Sequence, residues 1–234
     1  MFSILFGLIS RIPLGVLRGM SLILTKFLIL FKAKQYKVTQ KNINHCFGEN
    51  SELINNSFRE TIDMSLVFPF IWGRKDNFKK LLDTDYIQNK TLDNGRPKLF
   101  FTLHMGCVDM LVFIMGELLS QINILYTPAK NKKLEAKLKK TRESGGAKML
   151  PATDNGVKDL YKRFLAGENL LIASDLVPHK KGVYEKFFNK ECFCIDLIEK
   201  LSQKNTHDLY VVYLTKGKEK KYSFKVKKIE NQIT

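Results

Sequence analysis

His104 and Asp109 stand five positions apart, after the apolar run Leu99-Phe100-Phe101-Thr102-Leu103 and before a longer apolar stretch from Met110 to Leu119. The first run has the length of a strand and the second that of a helix, so the histidine falls at a strand-to-helix turn and the aspartate in the first helical turn. From there the carboxylate can bend back to one imidazole nitrogen. That contact fixes the tautomer and steadies an imidazolium, while the other ring nitrogen takes a proton from a hydroxyl. Gly106 permits a tight turn between the two, and the free N–H groups at the helix start suit an oxyanion or a phosphate. The pattern is a general-base dyad without a protein nucleophile. The competing reading of the same spacing is a structural pair that caps the helix.

Other chemistry is thin. Neither a GxxxxGK phosphate loop nor a GxGxxG fingerprint is present. Cys46, Cys107, Cys192 and Cys194 show no paired CxxC spacing, and a chain of 234 residues does not need a disulfide framework, so reduced thiols facing a cytoplasm are expected. Cys192, Cys194 and His207 fit no common zinc-ligand spacing. No metal and no cofactor is implied. His45, His179 and His207 lack a partner pattern and read as structural or exposed.

The elements that must position the dyad follow from the apolar periodicity. Apolar runs at Leu99–Leu103, Ile122–Tyr126, Leu170–Ala173 and Leu209–Leu214, with a weaker one near Met149, alternate with helical segments at Gly106–Leu119, Lys132–Glu143, Asn155–Leu165 and Ile195–Ser202. Strand alternating with helix predicts an α/β fold with a largely parallel central sheet flanked by helices. Reactive groups gather at the carboxyl ends of strands in such sheets, the place of His104 and of Asp175. Ser51 to Trp72 predicts a further helix with Ser51 as N-cap and Pro69 in its last turn, and Asp93-Asn94-Gly95-Arg96-Pro97 is a turn cluster.

Composition limits the partners. A 44% hydrophobic chain with 17 Phe folds, as one domain without an internal linker. Thirty-nine Lys and Arg against 23 Asp and Glu leave a net charge of +16, which calls for an anionic partner. No nucleic-acid recognition motif accompanies that charge, so nucleic acid is not expected. Met1 to Phe31 is almost wholly apolar, carries no acidic residue, and is interrupted by Arg11, Pro13 and Arg18. It matches neither a secretory signal nor an uninterrupted span of roughly 20 apolar residues. Beyond Pro13, Arg18, Lys26 and Lys32 fall on one side of a helix whose remaining surface is Leu, Ile, Phe and Met. This predicts an amphipathic membrane helix lying in the interface, over a membrane-associating segment 1–34 that precedes a domain over 35–234. A helical hairpin buried in the protein's own core is the alternative.

From Ile12 to Lys227 the chain resembles the late acyltransferases of lipid A biosynthesis, lauroyl and myristoyl transferases that use a His, four residues and an acid. Ser10-Arg11-Ile12-Pro13-Leu14 looks like that family's membrane-proximal start, and Asn42-Ile43-Asn44-His45-Cys46-Phe47 is similar to its Asn-Leu-x-x-Cys-Phe segment. Tyr126-Thr127-Pro128-Ala129-Lys130-Asn131 resembles the run after the second core strand, followed by Arg142 and Gly145. Gly167-Glu168 through Asp175 and Gly182-Val183 with Phe187-Phe188 complete the ordered set. The resemblance implies a glycerolipid acyltransferase-like fold and an enzyme of the inner membrane's cytoplasmic face, held monotopically or by one N-terminal anchor. It implies an acyl carrier protein thioester as donor and a phosphorylated glycolipid acceptor, the lipid A precursor. His104 and Asp109 would be catalytic, with Arg142, Asp175, Gly106 and Lys130 binding substrate. Cys107 and Val108 stand where the family usually has Asn and Trp, the acid is Asp109 rather than the commoner Glu, and the closing aromatic and basic helix of the family is missing before Thr234. A lysophospholipid or glycerolipid acyltransferase is therefore the second reading, and a basic membrane-binding protein without catalysis the third.

Overall fold

The computed structural model describes residues 7–74, 76–83, 92, 95–119, 121–178, 181–217 and 221–230. Asp93, Asn94 and His179 lie outside them. Contacts divide the chain into two compact units, 1–77 with 187–190, and 78–186 with 191–234.

The first unit is helical: α1 (Leu14–Leu30), α2 (Lys34–Phe47) and α3 (Ser51–Gly73). Pro13 precedes the first residue of α1, where a fixed φ and a missing N–H are harmless. The N-cap of α3 is Asn50, not Ser51: its side-chain oxygen accepts from Leu53 N at 2.9 Å. An Asn one position earlier does the work expected of the serine equally well. α1 packs along α3 with an inverted pattern, burying Leu17, Ser21 and Thr25 at i, i+4 and i+8. Ser21 donates to the buried carboxylate of Asp63 at 3.0 Å. The large apolar side chains face outward instead, with Ile23 73% and Leu30 75% exposed. The buried-hairpin alternative therefore does not hold for α1. Among the described residues no single helix is long and apolar enough to cross a membrane; α1 and α2 reach that length and composition only together, across an 81° bend.

The second unit is α/β. Six strands, β1 (Lys98–Thr102), β2 (Ile122–Tyr126), β3 (Ala147–Pro151), β4 (Asn169–Ala173), β7 (Asp208–Lys216) and β8 (Tyr222–Lys228), form a sheet in the order β3-β2-β4-β1-β7-β8. The first five are parallel and β8 pairs antiparallel with β7. The helices are α4 (Val108–Leu118), α5 (Lys132–Glu143), α6 (Asp154–Leu165) and α7 (Leu197–Ser202). Leu99, Leu150, Leu160, Phe164, Leu170, Ile172 and Leu209 form one buried layer, and α4 is buried from Asp109 to Gly116. Strands covered on both faces read as continuous apolar runs, which is why they were legible. A separate hairpin, β5 (Val183–Phe187) and β6 (Lys190–Cys194), turns through Phe188 and Asn189.

Candidate active site

Two neighbouring strands bring the first pair of groups together. The β1–β4 register places Thr102 beside Ala173, and Ser174 N donates to Thr102 O at 2.9 Å, extending the pairing past the strand ends. Two residues further on, His104 lies opposite Asp175. Asp175 Oδ2 accepts the His104 backbone N–H at 2.7 Å, and Oδ1 meets the imidazole Nδ1 at 2.8 Å. An ionised carboxylate only accepts, so Nδ1 is the donor and the lone pair of the neutral ring sits on Nε2. Nothing among the described residues bonds Nε2, and the imidazole is 46% exposed.

The carboxylate expected to hold that ring points elsewhere. Asp109 sits in the first turn of α4, and its Oδ1 accepts from Arg142 Nε at 2.9 Å and from an Arg142 terminal nitrogen at 2.9 Å. The local spacing gave Asp109 the imidazole; the fold gives the imidazole to Asp175, because α4 turns toward the end of α5 and presents Asp109 to Arg142 there. Burial pushes the Asp109 carboxyl above its ordinary range, against the pull of the Arg142 charge and hydrogen bond and, more weakly, of His104. The last influence places Asp109 within electrostatic reach of the imidazole without a bond to it.

Arg142 has further support that sequence reasoning did not assign. Its guanidinium lies over the Tyr126 ring, 5.8 Å from the centroid. The Tyr126 hydroxyl bonds Glu135, whose other oxygen accepts from Ala129 N at 2.6 Å. Burial first, and then Glu135, push the Tyr126 phenol up, so it stays a neutral donor. The available signal was its place at the carboxyl end of β2. Lys130 is exposed in the loop after β2, and no bond joins it to the other site residues.

Two residues between His104 and Asp109 shape the turn. Burial pushes the Cys107 thiol up to about 12, so it is protonated and no rival nucleophile. Gly106 has φ +64°, and a Cβ there would lie 3.0 Å from the Leu214 carbonyl oxygen on β7. Gly106→Ala is thus both strained and crowded, and is expected to cost about 1–3 kcal/mol of stability. Thermal melts would detect the loss, and an unchanged melting temperature would mean the turn can relax.

His45 and His207 make structural contacts. His45 Nε2 meets Phe188 O at 3.1 Å, and His207 stacks on Phe164 at 4.3 Å between ring centroids while contacting Thr206 and the Glu168 carbonyl. Among the described residues no group of three His, Cys, Asp or Glu is placed to hold a metal ion.

The arrangement is an accessible imidazole with its far nitrogen anchored, beside a buried carboxylate that holds an arginine. It suits removal of a proton from a hydroxyl near an anionic group. The family model described as bacterial lipid A biosynthesis acyltransferase matches residues 2–232. No curated protein matches the chain.

Proposed function

The chain belongs to the bacterial lipid A biosynthesis acyltransferase family, and from that membership we propose that it moves a fatty acyl chain from an acyl carrier protein thioester to a hydroxyl of a phosphorylated lipid A precursor. The observation that carries this reading is His104, anchored through Nδ1 by Asp175 with Nε2 open. Nε2 takes the acceptor hydroxyl proton as that oxygen attacks the thioester carbonyl. The tetrahedral intermediate then expels the thiolate, which recovers the proton from the imidazolium. Asp175 steadies the imidazolium at contact and Asp109 adds negative charge nearby. Arg142, held by Asp109, orients a phosphate of the acceptor. No acyl-enzyme forms.

Mass spectrometry of lipid A with and without the gene tests this. Loss of one acyl chain on deletion is the expected result. Unchanged lipid A with an altered phospholipid profile would instead favour a lysophospholipid acceptor, the reading that Asp109 in place of Glu supports.

The outward apolar face of α1 supports monotopic attachment at the cytoplasmic face of the inner membrane, with Lys26 and Lys32 at headgroup level. Lys132, Lys133, Lys137, Lys139 and Lys140 on α5 would steer the acidic carrier protein. Neutralising them together is expected to raise the apparent KM for the acyl donor and to mimic salt, which shortens the Debye length from about 30 Å at 0.01 M to about 10 Å at 0.1 M. Unchanged donor dependence would make α5 an ordinary solvated helix.

A further inference from the structure

The tip of the β5–β6 hairpin has a turn its sequence does not favour. The two-residue loop places Phe188 at φ +48° and Asn189 at φ +61°. Two left-handed central residues are what a type I′ hairpin turn needs, and the residues that adopt them readily are Asn, Asp and Gly. A phenylalanine at the first of these positions carries backbone strain, and strain held at one exposed place points to a use for the side chain. The Phe188 ring sits edge-on to Phe187 at 4.7 Å and edge-on to Phe47, the last residue of α2, at 5.5 Å. His45 fixes the turn by bonding the Phe188 carbonyl. Yet the cluster is not a core: Phe47 and Phe187 are 62% and 63% exposed.

Its surroundings within the helical unit say what covers it. α2 has no buried side chain at all. Lys34, Lys37, Lys41 and His45, at i, i+3, i+7 and i+11, form one exposed stripe that runs toward the aromatic cluster, and Lys190 follows the turn. The stripe itself carries no acidic residue; the acids nearest the cluster in sequence are the exposed Glu49, two positions after Phe47, and the exposed Glu185 and Glu191 on either side of the turn. α1, with its outward apolar face, leads into this stripe. Exposed aromatics at the end of a stripe of basic side chains complement an anionic lipid surface, with the rings at the acyl boundary and the lysines at the headgroups.

We infer that the Phe47–Phe187–Phe188 cluster is a second lipid-contacting element, which inserts between anionic lipid headgroups and fixes how the protein sits on the bilayer. The inference rests on the membrane attachment proposed above, and its test separates the two. In a Trp72→Phe background, one indole is introduced by Phe187→Trp and, in a separate protein, by Phe27→Trp on α1. Each full-length protein is mixed with vesicles of zwitterionic and anionic phospholipid carrying bromines at a shallow acyl position. Quenching at both positions is the expected result. Quenching at 27 alone overturns the hairpin contact and leaves the α1 attachment standing; quenching at neither overturns both.

A second variant guards against misfolding. Phe187→Ser with Phe188→Asn puts a favoured residue at the strained position, so the melting temperature is expected to hold or rise while binding to anionic vesicles weakens about tenfold. Unchanged vesicle binding overturns the proposal. So does loss of a dimer in sedimentation without loss of lipid binding, since the cluster would then be an interface between copies.

Discussion

His104→Ala is expected to lower the acyl-transfer rate by about 10²–10⁴ or more while leaving the thermal melt unchanged. The imidazole is half exposed, so its removal opens no cavity, and among the described residues the ring hydrogen-bonds Asp175 alone. Asp175→Asn should come close in severity, by about 10²–10³, for a reason the geometry specifies. An asparagine can still accept the His104 backbone N–H through its oxygen, but it then turns its amide nitrogen toward Nδ1. Nδ1 becomes the acceptor, Nε2 carries the proton, and the base is lost by tautomer rather than by position. Asp109→Asn is also expected to be damaging, by loosening Arg142 and removing a negative charge near the imidazolium. The two aspartate variants separate by nitrogen NMR of His104: the tautomer changes in Asp175→Asn and not in Asp109→Asn. Transfer above half the wild-type rate in purified His104→Ala would sink the mechanism.

The difference between the expected and observed partners of His104 shows what sequence reading can reach. Asp109 is close in sequence, so a local argument finds it. Asp175 is 71 positions away, and its approach depends on β1 lying beside β4, an ordering set by how the crossovers pack rather than by any local pattern. Strands buried on both faces, β1, β2, β4 and β7, were legible as apolar runs, and so were helices α4 to α7. What escaped lacks that signal. α2 has no fully buried residue and only a weakly apolar half-buried face, Tyr36, Thr39, Ile43 and Cys46, and β5 is exposed along its whole length. The N-terminal apolar stretch was legible as a helix, but the burial of Ser21 and Thr25 in place of its larger residues needed the partner Asp63 on α3. Arg142 stood out through the resemblance alone. Its anchoring by Asp109 and Tyr126 required the sheet to bring three elements to one edge.

The pair that Asp109 forms instead, with Arg142, has its own energetic signature. Arg142→Met is expected to destabilise the protein by about 3–5 kcal/mol near neutral pH, because it leaves a buried carboxylate without its counter-charge. Burial already holds the Asp109 pKa above its ordinary 3.8, and Arg142 is the larger of the two influences that restrain it. Without the arginine the folded-state value rises further. A carboxyl whose folded pKa is raised binds its proton more tightly in the native state than in the unfolded chain. Stability therefore falls as pH rises above 3.8 and through the folded value, and stays low beyond it. The loss in Arg142→Met should thus be small below the unfolded pKa and largest at neutral pH. Adding Asp109→Asn should restore most of it, since no buried charge then remains to be compensated. Denaturant unfolding of the two single variants and the double variant across this pH range decides the matter. A loss in Arg142→Met that is the same at every pH, and is not relieved by Asp109→Asn, would mean that the guanidinium matters for its packing on Tyr126 rather than for the charge it places against Asp109.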